Sequence, residues 1–391
     1  MLTRRAALAL GGTLSVAGLS GCLSKTYAVE SSVRGRWPMA RRDPGNRAEA
    51  PGATPPIAEP AVDWQRSFHA SDHPAQLLVT PETVFAARPL GVSALDRGTG
   101  DTRWRSDGHG QTPADGTARL VALRDQALYT ADGTALRAYD LAGELQWQEA
   151  SPASDSPTRA YGLVAGAETL FWGTHGRLTA FGTDGTHRYT FDLQGSGPVF
   201  PSVGTGRLYV AGPGRLLGAK PPGILDLILG EGPSVAWRSE AAGRPTWPVV
   251  VGERVLVGDR NLPTSGGRSH HVRAYEPDGT LDWSVPLDGP SSHLAVSTDS
   301  GLAYVVETEG GTDEETDGEI GGETGGRISA LDVESGDRVW TRDGLPLFDA
   351  GGSIVVAGDT LLVGGFSKES TDPVRALDAS DGETRWETSV S

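Results

Sequence analysis

The residues with metal or acid–base potential lie in three places. Thr312–Glu319 reads TDEETDGE, and Asp313, Glu315 and Asp317 alternate as the oxygen ligands of a calcium loop do, with Gly318 directly after them. The bidentate Glu that such a loop needs at its twelfth position is missing: Thr324 stands there, and Glu323 is one residue short. A solvated acidic extension is the simpler reading, and calcium on Asp313, Glu315 and Asp317 is the alternative. His270 and His271 are adjacent, and neighbours on a strand point to opposite faces, so they do not make a metal pair. The third set recurs: Asp96, Asp140, Asp332 and Asp378 each end an Ala-x-Asp run and are followed by a Gly and a Trp. A carboxylate before a tight turn accepts backbone N–H bonds, which is structural chemistry. No catalytic residue is assigned.

The elements that carry these aspartates form a repeat. VSALDRGTGDTRW (92–104), LRAYDLAGELQW (136–147), HVRAYEPDGTLDW (271–283), RISALDVESGDRVW (327–340) and VRALDASDGETRW (374–386) follow one template. LTAFGTDGTHRY (178–189) is a looser copy with Tyr189 in the Trp place, and LLGAK (216–220) with VAWRS (235–239) is a split one. Successive Trp positions from Trp104 to Trp386 are 43, 42, 48, 46, 57 and 46 residues apart, which makes seven units. Each unit holds two alternating apolar runs, then the Ala-x-Asp run, a turn and the Trp run. Period-2 alternation with turn residues every 8 to 12 positions means four antiparallel strands.

Four-stranded units at this period are the blades of an all-β β-propeller, since one blade buries its faces only against its neighbours. The turn glycines at Gly100, Gly143, Gly279, Gly336 and Gly382 supply the positive φ that the turn requires. Trp104, Trp147, Trp283, Trp340 and Trp386 are expected to wedge between blades. Seven blades are favoured. Ala61–Ser67 (AVDWQRS) is an eighth copy of the Trp run, and two readings of it stay open. Trp64 lies either on an N-terminal strand that closes a seven-bladed ring, or in a partial eighth blade completed by residues 37–60.

Ahead of the repeat, Met1–Cys22 has a basic start (Arg4, Arg5) and an apolar stretch from Ala6 to Leu19, the layout of an export signal. The paired arginines resemble a twin-arginine signal, and Leu19-Ser20-Gly21-Cys22 resembles a lipobox. Residues 1–22 are therefore expected to be a lipoprotein signal peptide, with a lipid on Cys22 as the membrane partner. That places the folded body on the outer face of the cytoplasmic membrane. Residues 23–60, rich in Pro, Ser and Arg, read as a flexible tether before a propeller over 61–391. An ordered piece is expected at Trp37-Pro38-Met39 and Arg42–Asn46.

Composition excludes several classes. One cysteine rules out a disulfide framework, and 54 Gly with 26 Pro in 391 residues leaves little room for long helices. A net charge of −16 argues against nucleic acid as a partner. Only Lys25, Lys220 and Lys368 are lysines among 34 basic residues, and an acidic, lysine-poor surface suits high salt. A GC-rich genome would also replace Lys with Arg, but not add the acidic excess.

The template from Ala94-Leu95-Asp96 to Trp104, and from Ala330-Leu331-Asp332 to Trp340, resembles the tryptophan-docking repeat of quinoprotein propellers, the pyrroloquinoline-quinone-like family. The resemblance spans residues 60–391 and the Trp37-Pro38 opening. It implies two functions. One is a non-catalytic scaffold similar to the BamB-like lipoproteins, binding an unidentified protein or ligand without a cofactor. The other is an alcohol or sugar dehydrogenase holding the quinone with calcium. Many such enzymes carry an adjacent-cysteine disulfide, which this chain lacks, and no ligand set carries over. The insertion Lys220–Glu231 (KPPGILDLILGE) is expected either to touch a partner or membrane or to cap the ring.

Overall fold

A computed structural model of the chain describes residues 36–68, 76–89, 91–107, 120–151, 159–193, 195, 197–204, 206–220, 222, 232–240, 244–260, 270–308, 325–346, 353–364 and 373–389. Cys22, Arg4, Arg5, the 312–319 acidic run and most of the 220–231 insertion lie outside the described residues. The described secondary structure is all strand, with no helix.

Seven antiparallel sheets form the ring, one per sequence unit, each of four strands in chain order from the axis outward. A short strand β1 (Glu49–Ala50) precedes them. Blade 1 is β2 (Gln76–Val79), β3 (Thr83–Arg88), β4 (Gly91–Asp96) and β5 (Thr102–Asp107). Blade 2 is β6 (Leu120–Arg124), β7 (Ala127–Ala131), β8 (Ala135–Asp140) and β9 (Leu145–Ala150). Blade 3 is β10 (Gly162–Ala165), β11 (Thr169–Gly173), β12 (Arg177–Gly182) and β13 (His187–Asp192). Blade 4 is β14 (Phe200–Gly204), β15 (Arg207–Gly212), β16 (Arg215–Lys220) and β17 (Ser234–Glu240). In blade 5 the innermost strand is broken into β18 (Arg244–Pro245) and β19 (Val249–Val251), followed by β20 (Arg254–Arg260), β21 (His270–Tyr275) and β22 (Leu281–Leu287). Blade 6 is β23 (Ser291–Ser297), β24 (Leu302–Thr308), β25 (Gly325–Asp332) and β26 (Arg338–Pro346). Blade 7 is β27 (Ser353–Ala357), β28 (Thr360–Gly364), β29 (Pro373–Asp378) and β30 (Thr384–Ser389).

The cores lie between blades because alternate side chains of each strand face opposite neighbours. Leu78, Phe85 and Ala94 meet Val121, Leu128 and Tyr139 between blades 1 and 2. One cluster runs through blades 2, 3 and 4, and others join 4 to 5, 5 to 6 and 6 to 7. Among the described residues no cluster joins blade 7 to blade 1.

The repeat residues make the ring's outer joints. Asp96 accepts the N–H groups of Gly98 and Thr99, and Asp332 those of Glu334 and Ser335. Asp140 does the same for Ala142 and Glu144, and Asp378 for Ser380. The turn glycine sits at φ +75° in Gly100 and +77° in Gly382, a conformation that costs a residue with a Cβ about 1 kcal/mol or more. In blades 2, 3, 5, 6 and 7 the bare face of that glycine receives the tryptophan of the preceding blade. Trp104 donates to Leu141 O at 2.8 Å, Trp147 to Thr183 O at 3.1 Å and Trp237 to Pro277 O at 2.7 Å. Trp283 donates to Val333 O at 3.0 Å and Trp340 to Ala379 O at 3.1 Å. Tyr189, buried at 3% exposure, takes the corresponding place beside Gly232.

The last joint differs from both sequence readings of Trp64. Residues 61–66 belong to no strand. Trp64 nonetheless donates to Arg97 O on blade 1 at 2.8 Å, and Trp386 of blade 7 donates to Pro56 O at 2.8 Å. Residues 53–66 are thus a strap that receives one tryptophan and supplies the other, standing between blades 7 and 1 without becoming a blade. Its prolines Pro55, Pro56 and Pro60 cannot donate to a ladder, which works against strand pairing of the segment that leads to Trp64. The N-terminal strand that does join the last blade is β1, which pairs with β27 in parallel.

Candidate functional site: the central channel and its plug

The sequence reading starts the propeller at residue 61 and assigns 23–60 to a tether. In the structure residues 37–50 run inside the ring and visit the innermost strand of every blade in chain order. Trp37 exchanges two backbone bonds with Val79, and Leu123 N–H donates to Pro38 O at 2.6 Å. Ala165 N–H reaches Met39 Sδ at 3.4 Å. Val203 donates to Pro44 O, Val250 to Gly45 O, Val296 to Arg47 O and Val356 to Ala48 O, at 2.7 to 3.0 Å. Innermost strands leave one edge unpaired towards the axis, and this segment satisfies it.

The plug buries five charged side chains. Arg41, Arg42, Asp43, Arg47 and Glu49 are each 8% exposed or less. Burial lowers the Arg41 guanidinium to about 10 despite nearby Asp43. Burial also lowers Arg42 and raises the carboxyls of Asp43 and Glu49. Such charges persist only when paired. Asp43 receives Arg47 Nε at 3.0 Å and Gly45 N–H at 2.8 Å. Glu49 receives Thr298 through its N–H at 2.7 Å and its Oγ1 at 2.8 Å. Asn46, at φ +59°, donates from one Nδ2 to Pro201 O and Pro248 O on blades 4 and 5.

The plug contacts lie towards the ends of the inner strands, on the face that bears the Asp–Gly turns. The opposite face is the mouth. There the residues just before Pro201 and Pro248 are aromatic. Phe200 and Trp247 have ring centroids 4.9 Å apart, and Tyr161 of blade 3 stands 6.2 Å from Phe200 edge-on. Arg159 lies 5.7 Å over the Tyr161 ring, and Tyr161 Oη is 3.4 Å from His175 Nδ1. These half-buried rings form a row across blades 3 to 5, with aromatic faces suited to stacking. On the turn face a cavity of about 350 Å3 lies between the plug and blades 1 and 2. Arg36, Arg42 and Arg124 line it against Asp43, Glu82 and Asp125.

The sequence candidates are distributed differently. Asp96, Asp140, Asp332 and Asp378 with their tryptophans sit on the outer joints, away from the channel axis. His270 is buried, His271 half-buried, and the two lie on opposite faces of β21. The plug's partners and the aromatic row were missed, since they are set by contacts between distant segments. The one legible signal was the ordered Trp37–Asn46 piece.

The calcium that the quinoprotein resemblance implies can be tested against these residues. A hard cation needs several converging oxygen ligands. Among the described residues no group of three or more His, Cys, Asp or Glu could hold a metal ion. The plug carboxylates Asp43 and Glu49 are already engaged. No calcium ligand set is therefore assigned among the described residues, and the Asp313, Glu315 and Asp317 run lies outside them.

Residues 229–391, less than half of the chain, match the family described as Outer membrane protein assembly factor BamB. No curated protein matches the sequence. In three dimensions the chain is similar to quinohemoprotein alcohol dehydrogenase ADHIIG from Pseudomonas putida HK5, with TM-score 0.63 and 13% identity over 95% of this chain and 74% of that one. It is equally similar to the quinohemoprotein alcohol dehydrogenase from Comamonas testosteroni, at TM-score 0.63 and 12% identity over 95% and 77%. Dihydro-heme d1 dehydrogenase NirN aligns at TM-score 0.57 and 12% identity over 79% of this chain and 64% of that one. At these identities the likeness is one of fold.

Proposed function

We propose that the protein is a membrane-tethered, extracytoplasmic scaffold that binds a protein or ligand, held by a lipid on Cys22 and suited to high salt. The observation that carries this reading is the plug. Residues 37–50 bond to the inner strands of all seven blades and engage the carboxylates they bring. This makes the channel floor a structural element, and leaves the mouth and rim for recognition. The aromatic row of Tyr161, Phe200 and Trp247 suits a binding surface, since such rings give contact area at low entropy cost.

The test is affinity purification of the tagged chain from crosslinked membranes, with a Phe200→Ala, Trp247→Ala variant in parallel. A reproducible partner that the double variant loses supports the scaffold. Calcium-dependent visible absorbance on adding the quinone, together with dye-coupled alcohol or sugar oxidation, would overturn it in favour of a dehydrogenase.

A further inference from the structure

We propose that the plug holds a small monovalent anion, chloride or a compact carboxylate, at the guanidiniums of Arg41 and Arg47 inside the ring. The site goes beyond the scaffold reading and does not depend on it.

Both arginines belong to one turn. Ala48 N–H donates to Arg41 O at 3.1 Å and closes residues 41–48 into a loop. Asp43 N–H also donates to Arg41 O, and Asn46 N–H to Asp43 O, so the loop folds on itself. Each guanidinium is fastened to this loop by its Nε. Arg41 donates to Asn46 O and Arg47 to Asp43 Oδ2, both at 3.0 Å. The two side chains belong to residues only 8% exposed, and Nη2 of each is enclosed with no acceptor from the protein. The loop's backbone is strained as well. Arg42, Asn46 and Ala48 have φ of 69°, 59° and 53°, a conformation that costs a residue with a Cβ.

The charges do not balance. The plug buries three cations, Arg41, Arg42 and Arg47, against two anions, Asp43 and Glu49. Asp43 is the carboxylate that acts on Arg41, on Arg42 and on Arg47, and its direct bond goes to Arg47. Glu49 is turned to Thr298. One positive charge is thus left over inside a chain whose net charge is −16. Loss of a proton does not remove it, because Arg41, lowered by burial to about 10, is still charged at neutral pH. A buried charge without a counter-charge is strongly destabilising, and an anion at Nη2 supplies both the opposite sign and the missing acceptor. An excess of one charge selects a monovalent anion, and the enclosure selects a compact one. Sulfate or phosphate would overcompensate it.

The probes are chloride and bromide on the purified full chain. Heat unfolding is followed at constant ionic strength while chloride replaces gluconate, an anion too bulky for the enclosure. The midpoint should rise with chloride and level off, as it does when a site on the native state fills. Bromide diffused into crystals should give an anomalous peak in hydrogen-bond reach of Nη2 of Arg41 or Arg47. Arg41→Met should abolish the chloride-dependent rise and, in gluconate, unfold no earlier than the parent, because the uncompensated charge is gone. Arg41→Lys keeps the charge and should need about tenfold more chloride for half the rise. Arg105→Met, at an exposed arginine on β5, should leave the rise unchanged. A larger saturable rise with formate than with chloride identifies the occupant as a carboxylate. A rise that never levels off and that sulfate reproduces is a general salt effect and overturns the proposal. So does water alone at both Nη2 atoms in the bromide crystals, a readout that needs no variant to fold. Neither result touches the scaffold reading, which stands or falls on the partner.

Discussion

Trp64 lies against the bare face of Gly100, close enough that a Cβ on the glycine would stand 2.6 Å from the indole Cε3. The strap therefore holds blade 1 by the same contact that joins the other blades. Trp64→Ala should destabilise the fold by about 2 kcal/mol, less than a fully buried Trp because the side chain is half-exposed. Gly100→Ala should cost a similar amount, from the positive φ and the overlap with the ring. The double variant should fall short of the sum by about 1 kcal/mol, because removing the indole removes the overlap. Urea midpoints of the four proteins check this, and strict additivity would disprove the contact.

Two other glycines separate crowding from backbone conformation. Gly173 has no positive φ, but a Cβ there would overlap Val199 O of the next blade's approach. Gly206 has φ +69° and nothing within 4 Å of its added Cβ. Gly206→Ala should lose about 1 kcal/mol. Gly173→Ala should lose about 3 kcal/mol or more, as overpacking against backbone cannot relax by rotamer changes. Thermal unfolding ranks the two, and the reverse order would count against the close packing of blades 3 and 4.

Asn46 ties two blades through one amide. Asn46→Ala should cost about 2 kcal/mol, leaving the carbonyls of Pro201 and Pro248 short of a donor. Asn46→Asp should cost more, because it replaces the donor by a negative charge facing those carbonyls. If the two variants unfold at the same midpoint, the amide is not acting as a donor.

Stability should fall in acid. The hydrogen bond from Ser380, with Arg385 beside it, holds the Asp378 carboxyl at about 2. Arg103 lowers Asp96, and backbone N–H donors lower Asp184, Asp278 and Asp332. Depressed carboxyls contribute stability above their unfolded value of about 4, and lose it as pH drops towards 2. Asp43 and Glu49 act oppositely: their raised values remove stability as pH climbs above about 4. The turn carboxylates are the more numerous, so the urea midpoint should decline below about pH 4. Asp378→Asn should flatten that decline, and an unchanged slope would contradict the assignment.

The sequence displayed the blades because their joints are local. Asp, Gly and Trp recur within about a dozen residues, and the turn they build depends on few outside contacts. Even Tyr189, in the weakest copy, was legible from register. The plug was legible only as a short ordered piece, because Asn46 answers to Pro201 and Pro248 and Glu49 to Thr298. Read alone, its run of arginines has the composition of a linker. Trp64 carried the repeat's signature without its strand, since the prolines before it forbid the ladder that the pattern suggested.

The plug also orders events in time. Glu49 must wait for Thr298, 249 residues further on, and Pro56 for Trp386, 330 residues away. Contacts of that span are slow to form, and the first cannot start until blade 6 exists, the second until blade 7 does. A chain released before its final unit could seat Trp37 on blade 1 and Pro38 on blade 2, but would leave Ala48 without Val356 and Pro56 without Trp386. The plug is thus completed from its Trp37 end to its Glu49 end, and the strap after it is fastened only when the final blade arrives.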